Sequence, residues 1–275
     1  MLAVDLCTQS GTMLGDSAST QRKRDPLWSA IQAEALDAAE RDPVMRPMLD
    51  RLILDHRTIG CALVHRLAEL LTEPGDDPVL QRRVFAEVVA TSRDIRQAIK
   101  DDLLVIRQRD PATTSNLTPF LNFKGFQALQ ASRIAHALWH SERKPLAMYL
   151  QGRISAVFGI DIHPAARIGR GVFIDHATGV VIGETATVGN NVVILHDVTL
   201  GATGKDRGDR HPKVDDDVFI GAGAKILGNI PVGKGATVGA GSIVLREVPP
   251  GATVAGIPAR VVRHAAVNRI TQIES

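Results

Sequence analysis

Cysteine is almost missing from this chain: only Cys7 and Cys61 occur in 275 residues. One thiol in the N-terminal stretch and one in a helical pattern make neither a disulfide framework nor a cysteine metal site, and a reducing cytoplasm suits them. An excess of charge of one sign is missing too, since 32 basic side chains are balanced by 30 acidic ones for a net +2. That balance argues against a nucleic-acid partner and leaves any anion to local clusters. Long apolar runs are also absent. No window approaches a membrane span, and MLAVDLCTQSGTMLGDSAST has neither a basic leader nor an apolar stretch of secretory length. Residues 1–24 are read as a disordered extension.

From Ile162 to Pro249 the sequence repeats every six residues. First positions fall at Ile162, Ile168, Ile174, Val180, Ala186, Val192 and Val198, then at Val214, Ile220, Ile226, Val232, Val238 and Val244. Branched aliphatic residues dominate these positions, and Gly follows in IGRGVF, IGAGAK, VGKGAT and VGAGSI. Each unit thus offers one inward side chain and one tight corner. This is a parallel β-solenoid signature, in which stacked coils build a continuous aliphatic column. Three sides per coil give a return every 18 residues, and the segment holds a little over four coils. The usual crossover rule favours a right-handed path. The repeat is interrupted between Val198 and Val214, where ten extra residues, including GKDRGDRHPK, leave the coil as a loop. Loops on rigid scaffolds often carry function.

Between residues 25 and 159 the apolar spacing becomes helical and Gly is scarce. Asp25-Pro26, Asp42-Pro43 and Asp77-Pro78 each place a capping side chain before a proline, which predicts three helix starts. Further helices are expected over Arg93–Arg107, Pro119–Ser141 and Pro145–Phe158. Leu117, Phe120, Phe123, Phe126, Leu129, Ile134 and Leu138 share a stripe suited to the core. A helical cap on a short solenoid needs more surface to cover, so oligomer formation is expected.

The repeat does not explain a small set of polar residues: Asp161 and His163 at its start, Asp175-His176, His196-Asp197, and Arg210-His211 at the end of the loop. Asp161 and His176 lie close to one coil apart, and a carboxylate that fixes one imidazole tautomer makes a better base. Three of the four histidines His163, His176, His196 and His211 could alternatively meet at zinc, as in zinc-dependent β-helix hydratases, although Arg210 beside His211 opposes a cation. GATGKD is no phosphate loop, because Asp206 stands where Ser or Thr is required. The glycine pairs are corners of the repeat and not a dinucleotide fingerprint.

The chain resembles bacterial serine O-acetyltransferases of the hexapeptide-repeat acyltransferase superfamily. The likeness spans Pro26 to Arg260 and rests on RDPA at 109–112, FKGFQALQ at 123–130, DIHPAARIGRG at 161–171, DHATG at 175–179, VTLGATGKDRGDRHPK at 198–213 and GAGAKILGN at 221–229. The resemblance implies an α+β chain, with an N-terminal α-helical domain followed by a left-handed parallel β-helix of hexapeptide repeats with one protruding loop. The expected divisions are 1–24, 25–159 for assembly, 160–262 for catalysis, and 263–275 as a short tail.

That resemblance implies acetyl transfer from acetyl-CoA to the hydroxyl of L-serine, the first step from serine towards cysteine. His176 would be the general base and Asp161 its orienting carboxylate. Arg210 and His211 would hold the serine carboxylate, with Asp110 and Asp175 facing its ammonium group. Coenzyme A would run past Gly201, Ala222 and Ala240, with Lys205 and Lys234, and also Lys225, Arg260 and Arg263, near its phosphates. No metal and no permanently bound cofactor are implied. A homotrimer or a dimer of trimers is, with sites between subunits and L-cysteine as a feedback inhibitor. Transfer to another hydroxyl acceptor is the alternative, and the zinc hydratase a more distant one. The sequence departs from the family at Ala202, where a second glycine is usual, and at the tail RITQIES. Because the last residue is Ser275 rather than isoleucine, a cysteine synthase complex is expected to be weak or absent.

Overall fold

The computed structural model describes residues 25–205 and 207–264, which form two compact units divided between Ala165 and Ala166. The readings made for residues 1–24, with Cys7, and for the tail from residue 265 fall outside the described residues.

The first unit is helical. It comprises α1 (Pro26–Arg41), a 3-10 turn (Pro43–Met45), α2 (Arg46–Leu49), a π-helical turn (Asp50–Leu54), α3 (Ile59–Leu71), α4 (Pro78–Thr91), α5 (Arg93–Arg109), α6 (Leu117–Asn122), α7 (Lys124–His140) and α8 (Lys144–Phe158). A short strand, β1 (Asp161–Ile162), follows. Asp25 accepts from the Leu27 N–H at 3.1 Å, and Asp77 accepts from Val79 at 2.9 Å and Leu80 at 3.3 Å, so both Asp-Pro pairs open helices as their chemistry requires. Asp42 caps Val44 at 3.2 Å, but only the three-residue turn follows. Pro47 has no N–H to extend a helix through this point, and a new helix starts around it.

The single helix expected over Pro119–Ser141 is in fact two. Phe123 is extended (φ −82°, ψ 103°) and separates α6 from α7. The break frees carbonyls, and the buried Gln127 Nε2 donates to Phe120 O at 3.3 Å and Leu121 O at 2.6 Å. A helical stripe read from apolar spacing does not register a break that a buried polar side chain repairs. Phe120 packs between Trp28 and Phe126, with ring centroids 6.2 and 6.1 Å away.

The second unit is a stack of short parallel strands: β2 (Arg167–Ile168), β3 (Phe173–Ile174), β4 (Val181–Ile182), β5 (Thr187–Val188), β6 (Val193–Ile194), β7 (Thr199–Gly201), β8 (Lys213–Val214), β9 (Phe219–Ile220), β10 (Lys225–Leu227), β11 (Pro231–Val232), β12 (Thr237–Val238) and β13 (Ile243–Val244). β14 (Thr253–Gly256) and β15 (Ala259–Arg263) end it as an antiparallel pair. One face stacks β4, β7, β10 and β13, a second β2, β5, β8 and β11, and the third β3, β6, β9, β12 and β14. Ile182, Leu200, Ile226 and Val244 pair in register up the first face and are almost fully buried. Along the chain, a helical unit is followed by a left-handed parallel β-helix.

The hexad phase needs correction. Between Ile174 and Ile182 the chain takes eight residues, not six, so the inward strand positions from there on are Ile182, Val188, Ile194 and Leu200. The expected first positions Val180, Ala186, Val192 and Val198 stand two residues earlier. They are buried as well, which is why an apolar template ran on without registering the slip. The loop between Leu200 and Val214 accordingly contains eight extra residues rather than ten, and the repeat is interrupted twice. Coil spacings follow: Phe173 pairs with Val193, Thr199 with Lys225, and Lys225 with Ile243.

Candidate active site

The two interruptions carry Asp175-His176 and Arg210-His211, two of the polar pairs singled out from sequence. The first is Asp175–Gly179. The corner position taken in later coils by Asp197 (φ 56°), Gly223 (φ 72°) and Gly241 (φ 67°) is held here by Gly179 (φ 78°), whose neighbour Thr178 accepts from the Asp197 N–H at 2.7 Å, and the two extra residues of this turn bring a left-handed Ala177 (φ 60°). His176 adds a second left-handed residue immediately before it, at φ 55°. Two consecutive non-glycine residues in this region are costly and are tolerated where the surroundings impose them. Here the backbone is pinned on both sides, by Asp175 N–H to Ile194 O at 2.8 Å and Thr178 N–H to His176 O at 2.7 Å. The result projects His176 outward with 75% of its side chain exposed. Its Nε2 lies 3.8 Å from an Asp175 carboxylate oxygen, and its ring meets that of His196 edge-on at 5.8 Å.

The second interruption returns to the coil at Arg210-His211. His211 is 7% exposed and sits over Gly183, where any Cβ would overlap its ring. Its Nδ1 lies 3.2 Å from the Thr185 N–H and 2.9 Å from Thr185 Oγ1. Arg210 donates from Nη2 to Glu184 Oε2 at 2.7 Å and from Nη1 to Gly208 O at 2.9 Å, which fixes the guanidinium beside the imidazole. Lys213 pairs with Asp209 and donates to Thr185 O at 2.5 Å. That ammonium holds the Asp209 carboxyl below the usual carboxylate range.

Glu184, Thr185 and Gly183 were missed in the sequence. Their signal was present: Glu184 to Arg210 and Thr185 to His211 both span 26 residues, one coil plus the insertion, once the phase is set by Ile182.

Asp110 and Asp161 belong to the first unit. Asp110 ends α5 and accepts from the Ala112 N–H at 2.9 Å and the Thr113 hydroxyl at 2.5 Å. Asp161 accepts from Gln151 Nε2 at 2.5 Å. His163 Nδ1 accepts from the Ala165 N–H at 3.1 Å and its ring stands edge-on to Trp139. Among the described residues no three His, Cys, Asp or Glu side chains gather as a metal site.

Of the residues expected along coenzyme A, Gly201, Ala222 and Ala240 lie at or after strands of the coil. Gly201 O accepts from Gly228 N–H at 2.9 Å, and Ala222 O accepts from Gly241 N–H at 2.7 Å. Lys205 and Lys234 are exposed; Lys234 reaches Asp217 at 3.5 Å, and Lys225 is held by Asp197 at 2.8 Å.

The helical unit followed by an interrupted left-handed β-helix is the architecture of a class of β-helical acyltransferases, and the relatives place the chain in that class. Comparison with known proteins is narrower. Residues 27–131 match the family described as serine acetyltransferase, N-terminal. A serine acetyltransferase of Escherichia coli K12 is 50% identical over 236 residues, 86% of each chain. Among solved structures, soybean serine acetyltransferase complexed with serine has 51% identity and a TM-score of 0.84, covering 86% of this chain and 97% of that one. A Brucella abortus S19 serine acetyltransferase in complex with coenzyme A has 48% identity and a TM-score of 0.86, covering 88% of this chain and 96% of that one. The chain belongs to the serine acetyltransferase family.

Proposed function

We propose that this protein transfers the acetyl group of acetyl-CoA to the hydroxyl of L-serine, giving O-acetyl-L-serine and coenzyme A. The observation that carries the reading is half-identity over most of the chain to serine acetyltransferases, with both histidine-bearing interruptions of the coil present. His176, exposed on its left-handed turn, takes the proton from the serine hydroxyl. The oxygen then attacks the thioester carbonyl, the C–S bond breaks, and the imidazolium returns its proton to the departing sulfur. Asp161 orients the base. Arg210 and His211 receive the serine carboxylate, while Asp175 and Asp110 face the ammonium group, a pairing of opposite charges that orients an amino acid. Acetyl-CoA is a co-substrate, lying past Gly201, Ala222 and Ala240 with Lys205 and Lys234 near its phosphates.

The same reading includes residues 25–159 as an assembly domain, 160–262 as the catalytic domain, and a trimer or dimer of trimers acting in the cytoplasm. Among the described residues no helix is long and apolar enough to cross a membrane. L-cysteine, one atom different from serine, uses the same carboxylate and ammonium contacts and inhibits. Co-elution with cysteine synthase reads the expectation drawn from the tail sequence.

The test is thiol release from acetyl-CoA with L-serine, L-homoserine, a simple sugar and no acceptor compared in parallel. Release that requires L-serine, competes with L-cysteine and is indifferent to EDTA is expected. A folded oligomer that releases thiol only with another acceptor, or only with zinc, overturns the reading.

A further inference from the structure

Arg210 and His211 stand at the end of an eight-residue insertion, yet their positions are defined to hydrogen-bond precision by one residue of the preceding coil. Thr185 Oγ1 accepts from the Arg210 N–H at 3.0 Å and from the His211 N–H at 3.1 Å. Those two bonds occupy both hydroxyl lone pairs. The hydroxyl hydrogen then has two acceptors in reach, His211 Nδ1 at 2.9 Å and the Asp209 carboxylate. Wherever it goes, the Thr185 backbone N–H at 3.2 Å is a donor and cannot accept, so it requires a bare lone pair on Nδ1. A neutral His211 ring therefore carries its hydrogen on Nε2. Gly183 provides the room for the ring, and the Glu184 carboxylate next to Thr185 aims Arg210. Three consecutive residues, Gly183-Glu184-Thr185, thus seat, aim and polarise the Arg210-His211 pair.

We infer that Thr185 is a positioning residue for the acceptor: it fixes His211 as an Nε2–H donor and locks the loop end, so that capture of the acceptor's carboxylate depends on it. The inference rests on the serine acetyltransferase reading, in which His211 and Arg210 meet that carboxylate. An imidazole with its hydrogen on Nδ1 would present a lone pair to a carboxylate and repel it. Loss of the hydroxyl also leaves two N–H groups at the loop end without their acceptor, which loosens the geometry that the pair needs.

The experiment compares Thr185→Val, Thr185→Ala, Thr185→Ser, His211→Ala and the Thr185→Val/His211→Ala double variant with the wild-type full chain. It measures kcat, KM for L-serine, KM for acetyl-CoA and the melting temperature. Thr185→Val and Thr185→Ala are expected to raise KM for L-serine by about 10- to 100-fold, the range for loss of a bond to a charged group, with KM for acetyl-CoA within about 2-fold of wild type. Thr185→Ser, which keeps the hydroxyl, stays within about 3-fold of wild type in every parameter. The double variant is no worse than His211→Ala alone, because Thr185 acts through the ring. Unchanged serine KM in a folded Thr185→Ala protein overturns the inference. So does an equal loss for both substrates with a lowered melting temperature, or a double variant whose losses add. A wild-type enzyme with no serine-dependent release overturns the underlying reading and the inference with it, and that is visible before any variant is made.

Discussion

At the scale of single residues, the chain spends conformational strain where its chemistry is expected. His176 and Ala177 are both left-handed, in a coil whose other corners use one such residue, mostly Gly, Asn or Asp. The identity of His176 was legible from sequence because the repeat has no use for a histidine. Its presentation was not, because φ depends on the pinning bonds from Asp175 and Thr178. If His176 is the base, His176→Ala lowers kcat by about 10²- to 10⁴-fold while the dissociation constant for coenzyme A, measured by calorimetry, stays within about 2-fold. A comparable loss of coenzyme binding assigns His176 a structural role instead. Thr185 lies at the opposite extreme of legibility. Threonine is unremarkable in any repeat, and only the 26-residue pairing with His211 gives it meaning.

At the scale of elements, caps and corners decide what forms. The Asn116 side chain at the N-cap of α6 makes no capping bond, and Ser115 Oγ accepts from the Thr118 N–H at 3.1 Å, which leaves the Asn116 and Leu117 N–H groups without a local capping side chain. Glu34 from α1 substitutes for one: its carboxylate accepts from Ser115 Oγ at 2.9 Å, Asn116 N at 2.8 Å, Asn116 Nδ2 at 3.0 Å and Leu117 N at 2.7 Å. A carboxylate at a helix N-terminus also meets the favourable end of the dipole. Glu34→Gln replaces an acceptor oxygen by a donor and is expected to lower unfolding free energy by about 1–3 kcal/mol, read from the urea midpoint; an unmoved midpoint contradicts this capping role. No sequence window could show it, since the partners are 81 to 83 residues apart.

The coil corners offer the converse case. A Cβ on Gly221 would stand 2.6 Å from Ala240 N and 3.0 Å from Val238 O, all backbone of the next coil with nowhere to move. Gly221→Ala should therefore cost about 1–3 kcal/mol by overpacking. Gly152 in α8, whose added Cβ meets nothing within 4 Å, supplies the control, and Gly152→Ala should raise stability by up to about 1 kcal/mol. Equal melting shifts for the two substitutions would refute the packing argument. The glycine corners themselves were legible from the hexad; the two-residue slip after Ile174 was not, because buried side chains two positions apart satisfy the same apolar template.

At the scale of the whole molecule, stability should fall in mild acid. His65 Nε2 lies 3.2 Å from Glu69 Oε1, an oxygen that Arg51 also engages, while His56 faces the ring at 5.0 Å and Arg51 and Arg82 add positive charge. Burial first, then these charges, hold His65 down to about 4 from 6.5, and burial lowers His56 in the same direction. Between those values the unfolded chain binds the proton and the folded chain does not. Stability is whole above pH 6.5 and is lost as pH falls towards 4, by up to about 3 kcal/mol from His65. Wild type should therefore melt well below its pH 7 temperature at pH 4.5, and His65→Gln should lose less over the same interval. Parallel losses in the two proteins would exclude His65 as the cause.

What the sequence by itself determined is everything that repeats or caps locally: a helical half with Asp-Pro starts, a β-helix column, one polar insertion ending in Arg210-His211, and a His176 for which the repeat has no use. These follow from periodicity and backbone chemistry, which act over a few residues. The tertiary structure alone decided the phase of the coils, the break at Phe123, the Glu34 cap on a helix far along the chain, and the setting of His211 over Gly183 against Thr185. Each of those depends on residues that come together only when coils stack or helices pack, because a hydrogen bond or a steric overlap is fixed by distance in space and has no signature in local spacing.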